Sequence, residues 1–379
     1  MPQKLHETAE RQKRALLVSL IEDTNSGSEL RRLAETLELC IAGHEIIRIR
    51  GKQPKFGMGS GKAAELAEKA SQLEADCLVF DWEIGPSQQR NWEELAEIPV
   101  LDRQELIIQI FAARAATREA YLKVQLAELN YRLPRLAHKY IDLSRQRGGR
   151  YGTKGSGETR LETDRRLIEQ QIHRLEKEID EVAKQRQVQR RQRERQGVPI
   201  CAIVGYTNAG KSSLLNSLTG ASVLVEDKLF ATLDATTRRF EPASGMPVLL
   251  TDTVGFIRRL PHSLIKAFRS TLEEASHASL LVQVLDAQDP NIEECYQTTN
   301  TVLSELGAGE IPAITALNKI DKLEYPEQME SLLAQFPGCL AISAKTGTGI
   351  DELKYHIAEK LKTRAAAGSG TRGGTGGVG

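Results

Sequence analysis

The sequence has few cysteines and no long hydrophobic run, and both absences narrow the kinds of protein it can be. Its 379 residues include five cysteines, which lie far apart and form no Cys-x-x-Cys pair, so we predict neither a disulfide framework nor a zinc site. The early apolar run at residues 15–21 stops at Glu22 and Asp23, is too short for a bilayer span and lacks a cleavage pattern. We therefore expect a cytoplasmic protein with no stable membrane insertion.

The chain also lacks net charge at neutral pH, but its basic residues are unevenly distributed. Residues 130–154 contain seven Lys or Arg residues against Asp142 alone, and residues 184–196 contain six against Glu194. Such a concentration is typical of an RNA-binding surface, although a solvated helix face has the same composition. Because no regular aromatic interleaving accompanies these charges, we expect contacts to phosphates and recognition of shape rather than stacking on bases.

The pattern of apolar residues predicts two parts in the first half of the chain. Residues 1–117 alternate apolar runs with helical stretches, which indicates a small α/β domain. Residues 118–197 contain two helical repeats separated by a glycine-rich segment, so we predict an antiparallel two-helix hairpin in which Pro134 kinks or ends the first helix. The repeats are Leu122, Leu126, Leu129, Leu133 and Leu136, and then Ile168, Ile172, Leu175, Ile179 and Val182.

The second half of the chain predicts a further domain and a tail. Residues 198–363 contain five apolar runs separated by helix-length segments, which indicates a doubly wound parallel sheet. The runs lie at residues 200–204, 248–251, 280–285, 314–316 and 340–342. Residues 364–379 are rich in glycine, and we predict a disordered tail there.

A glycine-rich loop, GYTNAGKSS, joins a predicted strand to a predicted helix at residues 205–213. This is the setting of a P-loop, in which backbone N–H groups wrap the α- and β-phosphates at a helix N-terminus. Lys211 is expected to reach the β/γ oxygens, and the Ser212 hydroxyl is expected to ligate Mg²⁺. The predicted phosphate site comprises Gly205, Tyr206, Thr207, Asn208, Ala209, Gly210, Lys211, Ser212 and Ser213.

Two later motifs predict which base the nucleotide carries. In Asn318-Lys319-Ile320-Asp321, which follows a predicted strand, the Asp321 carboxylate can accept hydrogen bonds from guanine N1–H and the 2-amino group. Adenine has neither donor in that geometry. Ser343-Ala344-Lys345 follows another predicted strand and resembles the loop that contacts guanine O6 in GTPases. We therefore predict GTP as substrate and GDP as product.

A third motif, Asp252-Thr253-Val254-Gly255, lies at the end of the strand predicted at residues 248–251. It supplies an aspartate linked to Mg²⁺ and a glycine whose N–H senses the γ-phosphate. With the P-loop and the guanine motifs in this order, the domain resembles a translation-factor-class P-loop GTPase. The residues leave three candidates for the switch I hydroxyl: Thr232, Thr236 and Thr237.

The chain up to about residue 362 resembles the HflX family of ribosome-associated GTPases. Besides the GTPase motifs, residues 152–166, GTKGSGETRLETDRR, look like the family signature that joins the glycine loop to the second long helix. Lys154 and Ser156 stand where the family usually has Arg and Pro, and neither change removes a charge or a glycine. Many members carry a further C-terminal domain, whereas residues 351–361 predict a final helix.

This resemblance implies an Mg²⁺-dependent GTPase that binds the large ribosomal subunit and its rRNA and dissociates stalled or idle ribosomes; we expect a monomer. In the family Phe-Ala-Thr-Leu-Asp is the switch segment, which favours Thr232 and adds Phe230, Ala231, Leu233 and Asp234 to the nucleotide site. The implied catalytic residues are Lys211, Thr232 and Gly255, and the implied metal ligands are Ser212, Thr232 and Asp252. The alternative is a nucleotide-gated switch for another RNA or protein, in which hydrolysis resets the state.

Residues 57–62, GMGSGK, are one residue short of P-loop spacing and are followed by Ala63, which has no hydroxyl. We interpret them as a turn that caps a helix starting at Ala63. The family resemblance leaves another interpretation open, a glycine loop that contacts RNA. In the family the N-terminal domain and the hairpin reach into the large subunit near the peptidyl-transferase centre, and some members bind ATP through the N-terminal domain.

Phe256 occupies the position where Ras-like enzymes have the Gln that orients the attacking water. We expect its ring beside the γ-phosphate, where it cannot hydrogen-bond to water, and hence slow intrinsic hydrolysis. Arg258 and Arg259 lie nearby, but the sequence assigns neither as an arginine finger.

Overall fold

The computed structural model describes residues 11–21, 26–49, 51, 53–146, 156–195, 197–220, 228–233, 236–242, 245, 247–259, 264 and 274–370. Within these ranges no helix has the length and the apolar character that crossing a membrane requires. The chain divides into two compact units, residues 1–113 with 128–173 and residues 114–127 with 174–379. Residues of the predicted hairpin, 118–197, fall in both units.

The first unit is built on a four-stranded parallel sheet in the order β2-β1-β3-β4. Its strands are β1 (Arg14–Leu20), β2 (Cys40–Ile47), β3 (Cys77–Phe80) and β4 (Val100–Asp102). Its helices are α1 (Ser26–Thr36), α2 (Ser60–Gln72), α3 (Pro86–Ala96) and α4 (Arg103–Arg114). Apolar side chains cover both faces of the sheet, as buried parallel strands require. The predicted small α/β domain is confirmed.

The glycine loop at residues 57–62 packs onto this unit. Helix α2 begins at Ser60, three residues before the predicted start at Ala63, and Gly57 adopts a φ of +77° that favours glycine. Phe56 and Met58 are buried beside it, and the Trp92 indole N–H donates to the Phe56 carbonyl at 3.0 Å. These contacts support the interpretation of the loop as a turn that leads into a helix.

Two long helices follow, α5 (Arg118–Gln146) and α6 (Ser156–Arg195). Helix α5 continues through Pro134, so the chain does not end the helix there. Asn130 and Pro134 both face solvent, where water can satisfy the carbonyl that loses its donor. The start of α5 pairs with the C-terminal half of α6 through Arg118 to Glu178 at 3.3 Å, as an antiparallel hairpin requires. The predicted glycine loop at residues 147–155 lies outside the described residues.

The second unit contains a six-stranded sheet in the order β10-β9-β8-β5-β7-β6. Its strands are β5 (Ile200–Gly205), β6 (Thr236–Phe240), β7 (Val248–Asp252), β8 (Leu280–Asp286), β9 (Ala313–Asn318) and β10 (Leu340–Ala341). Its described helices include α7 (Lys211–Thr219), α8 (Ile292–Glu305), α9 (Pro326–Gln335) and α10 (Ile350–Gly370). The five predicted strands are present and parallel, and β6 adds an antiparallel edge.

Two features of this unit differ from the sequence prediction. Strand β6 was not predicted, because its residues Thr236 to Arg239 are polar and exposed or half-buried, with Phe240 alone buried. Helix α10 continues to Gly370, so the first residues of the predicted tail are helical despite their glycines. Residues 371–379 lie outside the described part of the chain.

Candidate nucleotide-binding site

The predicted motifs meet at the carboxyl ends of the parallel strands of the second unit. The P-loop follows β5, the aspartate motif ends β7, and Asn318 ends β9. Strand order places β5 between β7 and β8, so loops that are distant in sequence come to one edge of the sheet. Ligands of open α/β sheets bind at this edge.

Glycine is required at two positions of the P-loop. Gly205 has a φ of +147° and Gly210 a φ of +93°, both in the region that side chains rarely adopt. A Cβ on Gly210 would collide with the Asn318 side-chain amide, and one on Gly205 would collide with the Val284 carbonyl. The loop can therefore follow this path against β8 and β9 because both residues lack side chains.

Lys211 begins α7 directly after the P-loop, and its side chain bends back over that loop. Its Nζ donates to the Tyr206 carbonyl at 2.8 Å, and the side chain is buried. Burial lowers the pKa of Lys211 to about 8, although the nearby Asp252 carboxylate opposes the shift. A buried ammonium at this position is available to an anion that enters the loop.

Three side-chain oxygens converge beside Lys211. Ser212 Oγ donates to Asp252 Oδ2 at 2.6 Å, and Thr232 Oγ1 lies 2.7 Å from Ser212 Oγ and 3.0 Å from Asp252 Oδ2. Burial raises the pKa of Asp252, while Lys211 and the two hydroxyls oppose that shift. Asp252 Oδ1 is buried and has no hydrogen-bond partner among the described residues.

This donor set fits Mg²⁺, which takes a carboxylate and hydroxyl oxygens together with phosphates. The structure also separates the three switch I candidates. Thr232 lies with Ser212 and Asp252, whereas Thr236 and Thr237 begin strand β6, where the Thr237 hydroxyl lies 3.0 Å from that of Thr251. Of the remaining switch residues, Phe230 and Leu233 are buried, Ala231 is half-buried, and Asp234 lies outside the described residues.

Gly255 is packed against the P-loop. A Cβ added there would lie 2.8 Å from Lys211 Nζ and 2.8 Å from Thr207 Cα, so no side chain fits without a shift. The Thr253 hydroxyl donates to the Ile203 carbonyl at 2.8 Å and fixes the motif to β5, while Val254 is buried. The Gly255 backbone is thereby held within reach of the Lys211 ammonium.

The position of Phe256 corrects the sequence prediction. Its ring is 1% exposed and does not line the cleft, so the expectation of a ring beside the γ-phosphate is wrong. Its backbone is instead bridged to the P-loop: the Phe256 N–H donates to the Gly205 carbonyl at 3.1 Å, and the Thr207 N–H donates to the Phe256 carbonyl at 2.8 Å. An apolar ring suits this interior position. A phenyl ring cannot hydrogen-bond to water in any position, so Phe256 still cannot orient the attacking water.

The guanine motifs are tied to each other and to the P-loop. Asn318 Nδ2 donates to the Ala209 carbonyl at 2.8 Å, while its Oδ1 accepts from the Ala344 N–H at 3.0 Å. The Ser343 hydroxyl donates to Asp321 Oδ1 at 2.6 Å. Ile320 bonds through its backbone N–H to the Ile342 carbonyl at 3.4 Å, and Lys345 is exposed at the end of the loop.

Lys319 is held by a residue that the sequence analysis did not identify. Its Nζ donates to the Asn208 carbonyl at 2.7 Å and to Asp286 Oδ2 at 2.7 Å. Asp286 ends strand β8 at the same sheet edge. A carboxylate directly after a predicted apolar strand is the sequence feature from which its role could have been predicted. Lys228 was also missed, and it lines the cleft between the P-loop and the switch segment.

That cleft has a volume of about 50 Å³ and collects residues from three of the predicted motifs. Its lining comprises Thr207, Asn208, Gly210, Lys211, Ser212, Ser213, Lys228, Phe230, Ala231, Thr232 and Gly255. The phosphate end of the predicted site is therefore a single cleft formed by the P-loop, the switch segment and the aspartate motif.

Comparison with known families gives matches along most of the chain. Residues 24–112 match the family model described as GTP-binding GTPase N-terminal, and residues 114–193 match that described as GTP-binding GTPase Middle Region. Residues 200–319 match the family described as 50S ribosome-binding GTPase. The three matches follow one another in the order of the elements described above.

Individual relatives agree with these matches. The GTPase HflX of Akkermansia muciniphila is 47% identical over 95% of this chain and 87% of its own length. The GTPase HflX of Escherichia coli is 43% identical over 86% of this chain and 78% of its own length. Among solved structures, SsGBP in complex with GDP is 26% identical, with a TM-score of 0.51 over 93% of this chain and 99% of that one. At these identities and coverages the chain belongs to the HflX family of GTPases, and it is a GTP hydrolase.

Proposed function

We propose that the protein is a cytoplasmic, monomeric, Mg²⁺-dependent GTPase that binds the large ribosomal subunit and dissociates stalled or idle ribosomes. The observation that carries the chemical part is the convergence of Ser212, Thr232 and Asp252 beside the buried Lys211. Two hydroxyls and a carboxylate at the end of a P-loop are the ligands that a metal–nucleoside triphosphate complex needs.

We assign the contacts with the nucleotide to these residues. Backbone N–H groups of the P-loop and the start of α7 bind the α- and β-phosphates, and Lys211 neutralises the β/γ oxygens. The Gly255 N–H would donate to the γ-phosphate. Asp321, oriented by Ser343, accepts both guanine donors. Ser212, Thr232 and Asp252 would hold Mg²⁺, which would supply positive charge to offset that of the phosphates.

Support for the ribosomal part comes from the family description and from charge. The match over residues 200–319 is to a family described as 50S ribosome-binding GTPase. The basic segments at residues 130–154 and 184–196 provide the positive charge that rRNA phosphates attract. Together they favour the large subunit and its rRNA as the partner.

Two of the basic residues have structural roles and do not contribute to that surface. The Arg135 guanidinium lies 3.5 Å from the Tyr131 ring centre and donates to the Gln89 side chain and the Ile84 carbonyl, both at 2.8 Å. Arg186 pairs with Glu119 at 2.8 Å. The proposal therefore rests on the other basic residues of the two segments.

Sucrose-gradient sedimentation tests this proposal. The protein should travel with large subunits in the presence of a non-hydrolysable GTP analogue and less with GDP, and the analogue-bound protein should convert idle ribosomes to subunits. Ser212→Ala should abolish the nucleotide dependence, while Thr363→Ala, which alters an exposed hydroxyl on α10, serves as the matched control. A protein that stays at the top of the gradient in both nucleotide states would favour the alternative, a switch for another partner.

A further inference from the structure

Tyr206, the second residue of the P-loop, connects that loop to the segment after Gly255. Its phenol oxygen accepts a hydrogen bond from the Arg258 backbone N–H at 2.7 Å, and the residue is 8% exposed. Its own carbonyl accepts from Lys211 Nζ at 2.8 Å. One residue therefore contacts both the P-loop lysine and the chain that leaves the aspartate motif.

The hydroxyl extends a bridge that the backbone begins. Two main-chain bonds join Phe256 to Gly205 and to Thr207 at 3.1 and 2.8 Å. The Tyr206 hydroxyl accepts a hydrogen bond from Arg258, two residues after Phe256. The P-loop is therefore hydrogen-bonded to both Phe256 and Arg258 in the segment after Gly255. The two main-chain hydrogen bonds do not depend on side chains, whereas the bond from Arg258 to Tyr206 is removed when the phenol oxygen is deleted.

The conformation of the next residue shows why a bond at Arg258 matters. Arg259 adopts a φ of +49°, a region that non-glycine residues occupy at a cost in free energy. The Arg258 guanidinium also pairs with Glu294 in the first turn of α8. Arg258 is thus held through its backbone N–H and through its side chain, immediately before the positive φ of Arg259.

We propose that Tyr206 is a positioning residue for GTP hydrolysis, whose hydroxyl fixes the segment after Gly255 so that the Gly255 N–H is aimed at the γ-phosphate. This inference rests on the proposed role of Gly255. Since GDP has no γ-phosphate, loss of the hydroxyl acts on GTP binding and turnover and leaves GDP binding intact. A structural role would affect both nucleotides alike.

Tyr206→Phe tests the inference because it keeps the buried ring and removes the acceptor. We expect the affinity for a non-hydrolysable GTP analogue and kcat to fall by about threefold to tenfold, the worth of one hydrogen bond, with GDP affinity unchanged. Tyr355→Phe, on an exposed tyrosine of α10, is the matched control. Unchanged GDP binding also shows that the variant is folded.

Gly255→Ala distinguishes failure of this inference from failure of the proposed site. If Gly255→Ala weakens the GTP analogue and Tyr206→Phe matches the unmodified protein, the Tyr206 inference is wrong and the site stands. If Gly255→Ala binds and hydrolyses GTP normally, the role of Gly255 fails and the inference fails with it. Equal losses for GDP and the GTP analogue in Tyr206→Phe would also overturn the inference, because they indicate a structural role.

Discussion

Asp321 accepts a hydrogen bond from the Ser343 hydroxyl at 2.6 Å, which orients its carboxylate at the base end of the site. Replacing it with Asn should weaken GTP by roughly tenfold to a hundredfold, since charge-assisted hydrogen bonds are lost. The affinity for xanthine nucleotides should rise, because their 2-oxo group can accept a hydrogen bond from the new amide. Competition between GTP, XTP and ATP measures this, with Asp351→Asn as a control on an exposed aspartate. Equal binding of ATP and GTP by the unmodified protein would contradict the assignment.

Phe256 is a core residue whose backbone is bridged to the P-loop. Phe256→Ala should therefore lower the free energy of unfolding by about 3–5 kcal/mol, the usual cost of emptying a buried aromatic site. Phe256→Leu should lower the free energy of unfolding less, because leucine fills more of the buried space than alanine does. Denaturant unfolding of both variants measures the effect. Full stability of Phe256→Ala together with an altered hydrolysis rate would show that the ring acts in the site after all.

At the residue scale, the sequence predicts motifs well because each is local. The P-loop, the aspartate motif and the guanine motifs are short, and their strand-end setting is visible in hydrophobic pattern. Partners across the fold are not visible in this way. Asp286 is 33 residues from Lys319, and Tyr206 is 52 residues from Arg258, so both bonds depend on strand order and loop path. The buried ring of Phe256 was mispredicted for the same reason.

At the scale of elements, α5 and α6 include much of the two basic segments that we assign to the ribosome, while Arg147 and Arg150 lie outside the described residues. Reversing three charges, Arg145, Arg147 and Arg150 to Glu, should weaken ribosome binding and flatten its dependence on salt, because fewer counterions are released. GTP binding should be unaffected. Sedimentation across a salt series measures the slope. The control reverses three exposed basic residues of α10, Lys360, Lys362 and Arg364. Unchanged ribosome binding by the hairpin variant would identify the basic run as a solvated helix face.

The sequence predicts helices and strands where apolar periodicity is strong. It misses those whose formation depends on contacts with other elements. The parallel strands of the second unit are apolar runs, whereas β6 is mostly polar and is a strand because it pairs with β7. Pro134 argues locally for a helix end. Helix α5 continues past it because Tyr131 and Arg135, on either side, are bonded to Glu105 and to the Ile84 carbonyl. These contacts come from other elements and leave no local signal.

At the scale of the whole molecule, a GTP hydrolase is combined with the basic segments that we propose bind the ribosome. The apolar Phe256 cannot orient the attacking water, and the Arg258 guanidinium is paired with Glu294 on α8. A GTPase with these features needs the missing electrostatics from its partner, and such assistance can be worth roughly 10³ to 10⁵ in rate. Low turnover by the free protein would then restrict hydrolysis to the ribosome-bound state.

Steady-state GTP hydrolysis, measured with and without purified large ribosomal subunits, shows whether the partner supplies the missing electrostatics. We expect slow turnover by the protein alone and an acceleration of about severalfold to a hundredfold or more when subunits are added, below the full effect that assistance in trans can give. Small subunits should accelerate it less. Fast turnover by the protein alone, unchanged by large subunits, would contradict this expectation, because it would mean that residues of this chain already position the catalytic water.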